Sequence, residues 1–182
     1  KEEILAALKK QQVSAEQVEG FDSMLALSEY DHMESLDAFQ KGWIQVQDIS
    51  SALVGELAAP ENGSYIIDVC AAPGGKSLHL ADKMEGTGCV EARDLTYQKV
   101  ALIEENASRM GALNIKAVQW DATEFDPESE NKADLVIADL PCSGLGIIGR
   151  KPDIKYHTTK ENLRELSKLQ KEILSVVWKY VK

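Results

Sequence analysis

The residues predict an α/β fold: a partial parallel sheet of four strands in the probable order 3-2-1-4, clothed by helices and led by a small α+β extension. Three observations carry this. From Tyr65 onward, short β-branched runs alternate with helical periodicity, the pattern of a parallel sheet covered on both faces. The first run leads into Ala71-Ala72-Pro73-Gly74-Gly75, a turn that opens a helix. An aspartate follows each later run, at Asp94, Asp121 and Asp139, on the rim where open α/β sheets take ligands.

In chain order, Ile4, Leu5 and Leu8 mark a short amphipathic helical turn, and Gly20 with the acid-rich stretch to Asp37 predicts turns and short strands. Residues 1–40 are thereby set apart as an N-terminal extension, and residues 41–182 as the main domain. Trp43-Ile44-Gln45-Val46-Gln47 alternates like a half-buried strand, and Asp48 is placed to cap a helix through Ile49, Leu53, Val54 and Leu57 that Pro60 and Gly63 close. Residues 65–70 form the first sheet strand and 77–84 its helix. Residues 88–91 form the second strand, and 98–110 a helix with Val100, Ile103 and Ala107 on one face, closed at Gly111. Strands follow at 115–119 and 134–138, then a long helix at 161–180. Right-handed crossovers give the order 3-2-1-4. The last helix has no strand after it, so the sequence predicts a domain that is C-terminally incomplete, or one that leans on another chain.

A chain of 182 residues, 44% of them hydrophobic, buries one main core. It has no apolar run long enough to span a bilayer, and Lys1-Glu2-Glu3 lacks the order of a signal peptide. A soluble, cytoplasmic protein without membrane contact is expected. Cys70, Cys89 and Cys142 fit neither a disulfide framework nor a zinc spacing, and His32, His79 and His157 do not cluster, so no metal is expected. Nothing in the sequence fixes an oligomeric state. The net charge of -10 excludes polyanion binding by the surface as a whole. Its distribution is uneven: residues 1–64 hold four lysines, no arginine and twelve acids, whereas residues 145–182 hold nine basic residues and four acids. Any nucleic-acid face lies C-terminal, unless those residues are a solvated helix with i,i+4 pairs such as Lys168 with Glu172.

Asp68-Val69-Cys70-Ala71-Ala72-Pro73-Gly74-Gly75-Lys76 falls where a strand end meets a helix start, whose free amides favour ligand oxygens. It is neither a GxGxxG fingerprint nor a P-loop, despite Gly75-Lys76-Ser77. Asp94 lies about 20 residues past the glycine turn, as recognition of a ribose diol requires, with Glu91 as its rival. Asp121 can accept from an adenine amino group, or serve only as a cap.

Residues 68–76 together with Asp139-Leu140-Pro141-Cys142-Ser143-Gly144 closely resemble the Sun/Fmu family of bacterial 16S ribosomal RNA cytosine C5-methyltransferases. The resemblance extends upstream to Gly42-Trp43-Ile44-Gln45-Val46-Gln47-Asp48 and downstream to Arg150-Lys151-Pro152-Asp153-Ile154-Lys155-Tyr156. It implies a Rossmann-like S-adenosylmethionine-dependent methyltransferase core acting on RNA, most directly 16S ribosomal RNA. It also implies that Cys70, Ala71, Ala72, Pro73, Gly74, Gly75 and Lys76 hold S-adenosylmethionine, that Asp94 takes its ribose, that Asp121 lies near the adenine, and that Asp139 sits where methyl donor and cytosine meet.

Carbon 5 of cytosine is a poor nucleophile, so a thiolate must first add at carbon 6. In the resembled family the Pro-Cys cysteine, here Cys142, assists release of the methylated base, and the attacking thiol belongs to a Thr-Cys motif. No Thr-Cys occurs in residues 1–182, so the resemblance implies a chain that stops before its nucleophile. Two other readings of Cys142 stay open: the nucleophile itself, as in DNA cytosine C5-methyltransferases, or an inert turn residue. Asp139 beside the target ring would protonate N3, which a raised pKa permits. Cys70 and Cys89 are read as structural. Arg150, Lys151 and Lys155 are placed to hold RNA phosphates with Tyr156 available to stack, or else form a solvated loop. Two other classes are a non-catalytic S-adenosylmethionine- or RNA-binding module and a nucleotide-dependent oxidoreductase, the latter disfavoured by the missing GxGxxG.

Overall fold

The computed structural model describes residues 1–182. At the N-terminus, helix α1 (Glu2–Lys10), the antiparallel hairpin of β1 (Ser14–Gln17) and β2 (Leu25–Ser28), and the short helix α2 (Asp37–Gln40) enclose a cluster of Leu8, Val13, Leu36 and Ala38. Ile44 packs against this cluster and ties it to the segment that follows.

That segment differs from its prediction. Residues 43–47 form no strand, because Arg109, on a helix far along the chain, supplies the donors a neighbouring strand would give. Its Nη1 donates to Phe39 O at 2.9 Å and Ile44 O at 3.1 Å, its Nη2 reaches Gln45, and its guanidinium lies 4.0 Å from the Phe39 ring centroid. Gly42 makes this approach possible. Its φ is +69°, and a Cβ there would stand 1.8 Å from the Arg109 carbonyl oxygen. Left-handed strain and overpacking add, so Gly42→Ala is expected to cost about 3 kcal/mol, read as a lower urea midpoint at unchanged slope.

Helix α3 (Ile49–Ala58) leads to β3 (Tyr65–Asp68), α4 (Gly75–Lys83), β4 (Cys89–Asp94), α5 (Tyr97–Met110), β5 (Ile115–Gln119), β6 (Leu135–Ile137), α6 (Ile154–His157) and α7 (Lys160–Val177). The four sheet strands are parallel in the order β5-β4-β3-β6, the order the sequence predicts. Successive side chains of β3 point to opposite faces. Ile66 packs with Leu80, Ala81, Met84, Val90 and Ile137, while Ile67 packs with Ile173, Val177 and Tyr180 beneath α7.

Two elements bury different residues from those the periodicity marks. On α3, Ile49, Leu53 and Leu57 are exposed, and the buried positions are Ala52 and Gly55. Small residues let α3 approach α4 closely: a Cβ on Gly55 would meet His79 Nδ1 at 2.6 Å. The second sheet strand runs to Asp94 rather than ending at Glu91, because the charges of Glu91 and Arg93 are paired where they are buried. Arg93 Nε donates to Glu91 Oε1 at 2.7 Å, and its Nη2 to Asp126 Oδ2 at 2.8 Å and Ser129 Oγ at 2.6 Å. Lys116 Nζ donates to Glu91 Oε2 at 2.9 Å, and the guanidinium lies 5.4 Å and 5.5 Å from the Trp120 and Tyr180 rings.

After α7 the chain turns back beside the sheet, where Val181 pairs in parallel with Ala133 and Lys182 N donates to Ala133 O at 3.0 Å. No helix is long and apolar enough to cross a membrane.

Candidate functional site

Parallel pairing brings Asp68 level with Ala92 and Ile137, and Asp94 level with Gln119, so the loops that leave these strands share one edge. A cleft of about 320 Å³ opens there. The turn after β3 lines it through Cys70, Ala71, Ala72, Pro73, Gly75 and Lys76. Asp139 and Arg150 contribute from the C-terminal half, and residues 45–48 with Ser51 form a lip.

The turn folds around Gly74. Its φ of +101° is left-handed, its N–H donates to Ala71 O at 2.7 Å, and its carbonyl accepts the first bond of α4 from Leu78 N at 2.8 Å. The first amides of α4 therefore lack intrahelical partners at the positive end of the helix, beside the cleft. Gly74 itself is set back, with a virtual Cβ 3.5 Å from Ile103.

Asp68 lines the cleft and is 1% exposed. Ser77 Oγ donates to its Oδ2 at 2.7 Å, whereas Oδ1 has no partner. Burial pushes this carboxyl up to about 6, against the opposing pull of the Ser77 hydrogen bond and the Lys76 ammonium. Sequence reasoning includes Asp68 in the 68–76 stretch but gives it no role of its own; the available signal is an acid inside a buried apolar run, where a charge requires a partner.

Lys76 crosses the cleft. Its Nζ lies 2.6 Å from Asp139 Oδ2 and donates to Ser51 Oγ at 3.1 Å. The sequence assigns Lys76 to the loop for its backbone; the structure gives its side chain the task of joining the glycine turn, α3 and the loop after β6. The lip is held from the other side by Arg150, whose Nη1 lies 2.6 Å from Asp48 Oδ1. Asp48 thus makes no side-chain cap for α3. Gln47 Nε2 donates to Gly75 O at 3.4 Å. Gln45, Gln47, Asp48 and Ser51 are cleft residues that the sequence pattern did not single out as functional.

The remaining rim acids differ in availability. Asp94 is 3% exposed and lies behind the turn: its Oδ2 accepts from Ala72 N at 3.0 Å, and its Oδ1 from Leu95 N at 2.8 Å with Lys99 Nζ at 2.9 Å. Glu91 belongs to the Arg93 network and stands away from the rim, so it drops out as Asp94's rival. Asp121 accepts Thr123 N at 2.9 Å and Thr123 Oγ1 at 2.7 Å through Oδ1, leaving Oδ2 free of protein partners. Cys142 is exposed, and its turn is anchored by Gln170 Nε2 donating to Pro141 O at 2.8 Å. Burial pushes the Cys70 thiol up to about 11 and also raises that of Cys89. Neither is a thiolate at neutral pH. Lys151 and Lys155 are exposed outside the cleft, Lys155 Nζ lying 4.7 Å from the Tyr156 ring centroid. No group of three or more His, Cys, Asp or Glu is arranged to hold a metal ion.

Comparison with known proteins places these features in context. The family described as 16S rRNA methyltransferase RsmB/F matches residues 56–182. Ribosomal RNA small subunit methyltransferase B of Proteus mirabilis is 35% identical over 185 aligned residues, covering all of this chain and 43% of that protein. The crystal structure of PH0851 superposes with a TM-score of 0.93 at 31% identity, over all of this chain and 41% of the other. That of NSun6 from Pyrococcus horikoshii with SFG gives 0.76 at 28% identity, over 88% of this chain and 43% of the other. The chain thus spans less than half the length of these relatives.

Proposed function

Because the chain belongs to the 16S rRNA methyltransferase RsmB/F family, we propose that it binds S-adenosylmethionine in the cleft and presents it to a cytosine of 16S ribosomal RNA for methylation at carbon 5. The unpartnered oxygen of buried Asp68, next to the free amides of α4, is the observation that supports this most. The methionyl part of the ligand is a zwitterion: its ammonium suits a buried carboxylate oxygen, and its carboxylate suits a helix N-terminus. Asp121 offers its free oxygen to the adenine amino group, and Asp94 takes the ribose from behind the turn. S-adenosylmethionine supplies an electrophilic methyl on a cationic sulfur.

The protein's own groups position and protonate. Asp139, tethered by Lys76, is placed to pass a proton to cytosine N3 once the base replaces the lysine contact, which favours addition at carbon 6 of the thiol that the resembled family carries on its Thr-Cys motif, outside residues 1–182. Cys142 is the cysteine with access to that ring; it assists release of the methylated base by moving a proton near carbon 5. Arg150 at the lip, with Lys151 and Lys155 beside it, holds phosphates of the substrate strand. Residues 1–40 form a separate accessory unit whose link to the lip is Ile44.

Calorimetric titration and incubation with methyl-labelled S-adenosylmethionine and 16S ribosomal RNA test this. Saturable binding of S-adenosylmethionine but not NAD is expected, and a chain that also carries the family's Thr-Cys thiol returns the label as 5-methylcytidine. Failure to bind S-adenosylmethionine overturns the cofactor assignment, and label in any other nucleoside overturns the target. Binding without transfer by residues 1–182 alone agrees with an attacking thiol outside them, and transfer by these residues alone makes Cys142 the nucleophile.

A further inference from the structure

Helix α7 packs on the sheet through Ile173 and Val177, with Leu166, Leu169 and Val176 half-buried. Its other side carries Lys160, Arg164, Lys168 and Lys171, all exposed. At about 100° per residue these four fall within an arc of about 80°, directly opposite Ile173. The stripe is about 16 Å long, with axial steps of about 6 Å between its first three charges, the scale on which phosphates succeed one another along a strand. Trp178, 66% exposed, extends the same face just past the helix end.

A solvated helix would be expected to tie such cations to its own acids. Glu161, Glu165 and Glu172 are available on the adjoining face, yet none of the four cations has a carboxylate oxygen within 4.0 Å. The pairing of Lys168 with Glu172 that the spacing offers does not form. Four unneutralised cations stand in line on a chain whose net charge is -10. The helix is also joined to the cleft: Gln170 bonds the Pro141 carbonyl directly before Cys142, and the N-terminus of α7 follows the loop that carries Arg150.

We propose that the outer face of α7 is a track for the RNA backbone, leading a single-stranded segment past Pro141 and Cys142 into the cleft, with Trp178 as a base-stacking platform at its far end. The track extends the RNA reading above and rests on it. Its contacts are to phosphate and to base faces, so it contributes affinity and direction rather than sequence choice.

Binding of fluorescein-labelled oligocytidylate, measured by anisotropy against salt concentration, tests the track. Each phosphate contact on a single strand contributes about 0.7 to the log–log salt slope. Replacing Lys160, Arg164, Lys168 and Lys171 by Gln is expected to lower the slope by roughly 3 and weaken binding at low salt by at least about tenfold. A graded series of one, two and four replacements lowers the slope stepwise, and Lys9→Gln with Lys10→Gln leaves it unchanged. Affinity for S-adenosylmethionine stays the same throughout. An unchanged slope in the quadruple variant overturns the track, and is the result if the stripe serves a protein partner. A wild-type chain that binds no RNA overturns the RNA reading itself.

Discussion

Arg93→Met is expected to destabilise the protein by about 3–5 kcal/mol, the cost of leaving a buried ion cluster without its one buried cation. Arg93 and Glu91 side chains are 4% and 9% exposed, and Asp126 12%; removing the guanidinium leaves Glu91 with Lys116 and Asp126 with Ser129, both without the buried cation they share. Chemical denaturation at several pH values identifies the cause. Burial pushes the Glu91 carboxyl up, but its bond to Lys116 and the Arg93 guanidinium outweigh this and hold it below the ordinary value. For Asp126, burial is outweighed by the bonds from Ser129 and Arg93. Carboxyls held low in the folded state stabilise it above their unfolded pKa values, about 3.9 for Asp and 4.3 for Glu, and lose that contribution as pH falls through the folded values. The gap between wild type and Arg93→Met is therefore widest above pH 5 and closes below pH 4. A gap that does not change with pH would assign the loss to packing with Trp120 and Tyr180.

Asp68→Asn is expected to move stability and binding in opposite directions. The raised carboxyl binds a proton more tightly in the folded state than in the unfolded chain, so wild-type stability falls as pH rises from 3.8 to about 6, and the full cost persists above that window. A shift of this size is worth about 3 kcal/mol. The amide still accepts from Ser77 and carries no charge, so the urea midpoint at pH 7 rises. Affinity for S-adenosylmethionine falls by at least about 30-fold, since a buried partner for the ammonium is gone. In the wild type, affinity drops about tenfold per unit below pH 6 as Asp68 takes up its proton. The variant loses that pH dependence. A destabilised variant that retains its affinity would return Asp68 to a purely structural role.

The sheet was legible because β3 and β6 read as apolar runs and right-handed crossovers leave few orders for four strands, whereas β4 was read short because Glu91 and Arg93 interrupt it. Alternation at residues 43–47 misled because a strand requires a neighbour's backbone, which side-chain polarity does not report: Trp43 and Val46 are exposed, and Arg109 takes that neighbour's place from 65 residues away. On α3 the large apolar residues drew attention, but contact with α4 is made by Ala52 and Gly55, whose value lies in what they lack. The rim acids followed from a rule about strand ends. The state of each carboxylate did not, because it depends on distant partners: Asp139 meets Lys76 across 63 positions and Asp94 meets Ala72 across 22.

The bond from the Ala72 amide to Asp94 has a further consequence. With Leu95 and Lys99 also engaged, both Asp94 oxygens already serve the protein's own loop, so a sugar hydroxyl arriving there must share an acceptor or dislodge a tenant. On the proposed reading of Asp94, admission of the nucleoside is an exchange of partners in which the fixity of the glycine turn is traded against the grip on the sugar. Discrimination among nucleosides at this corner would arise from how well each repays that displacement.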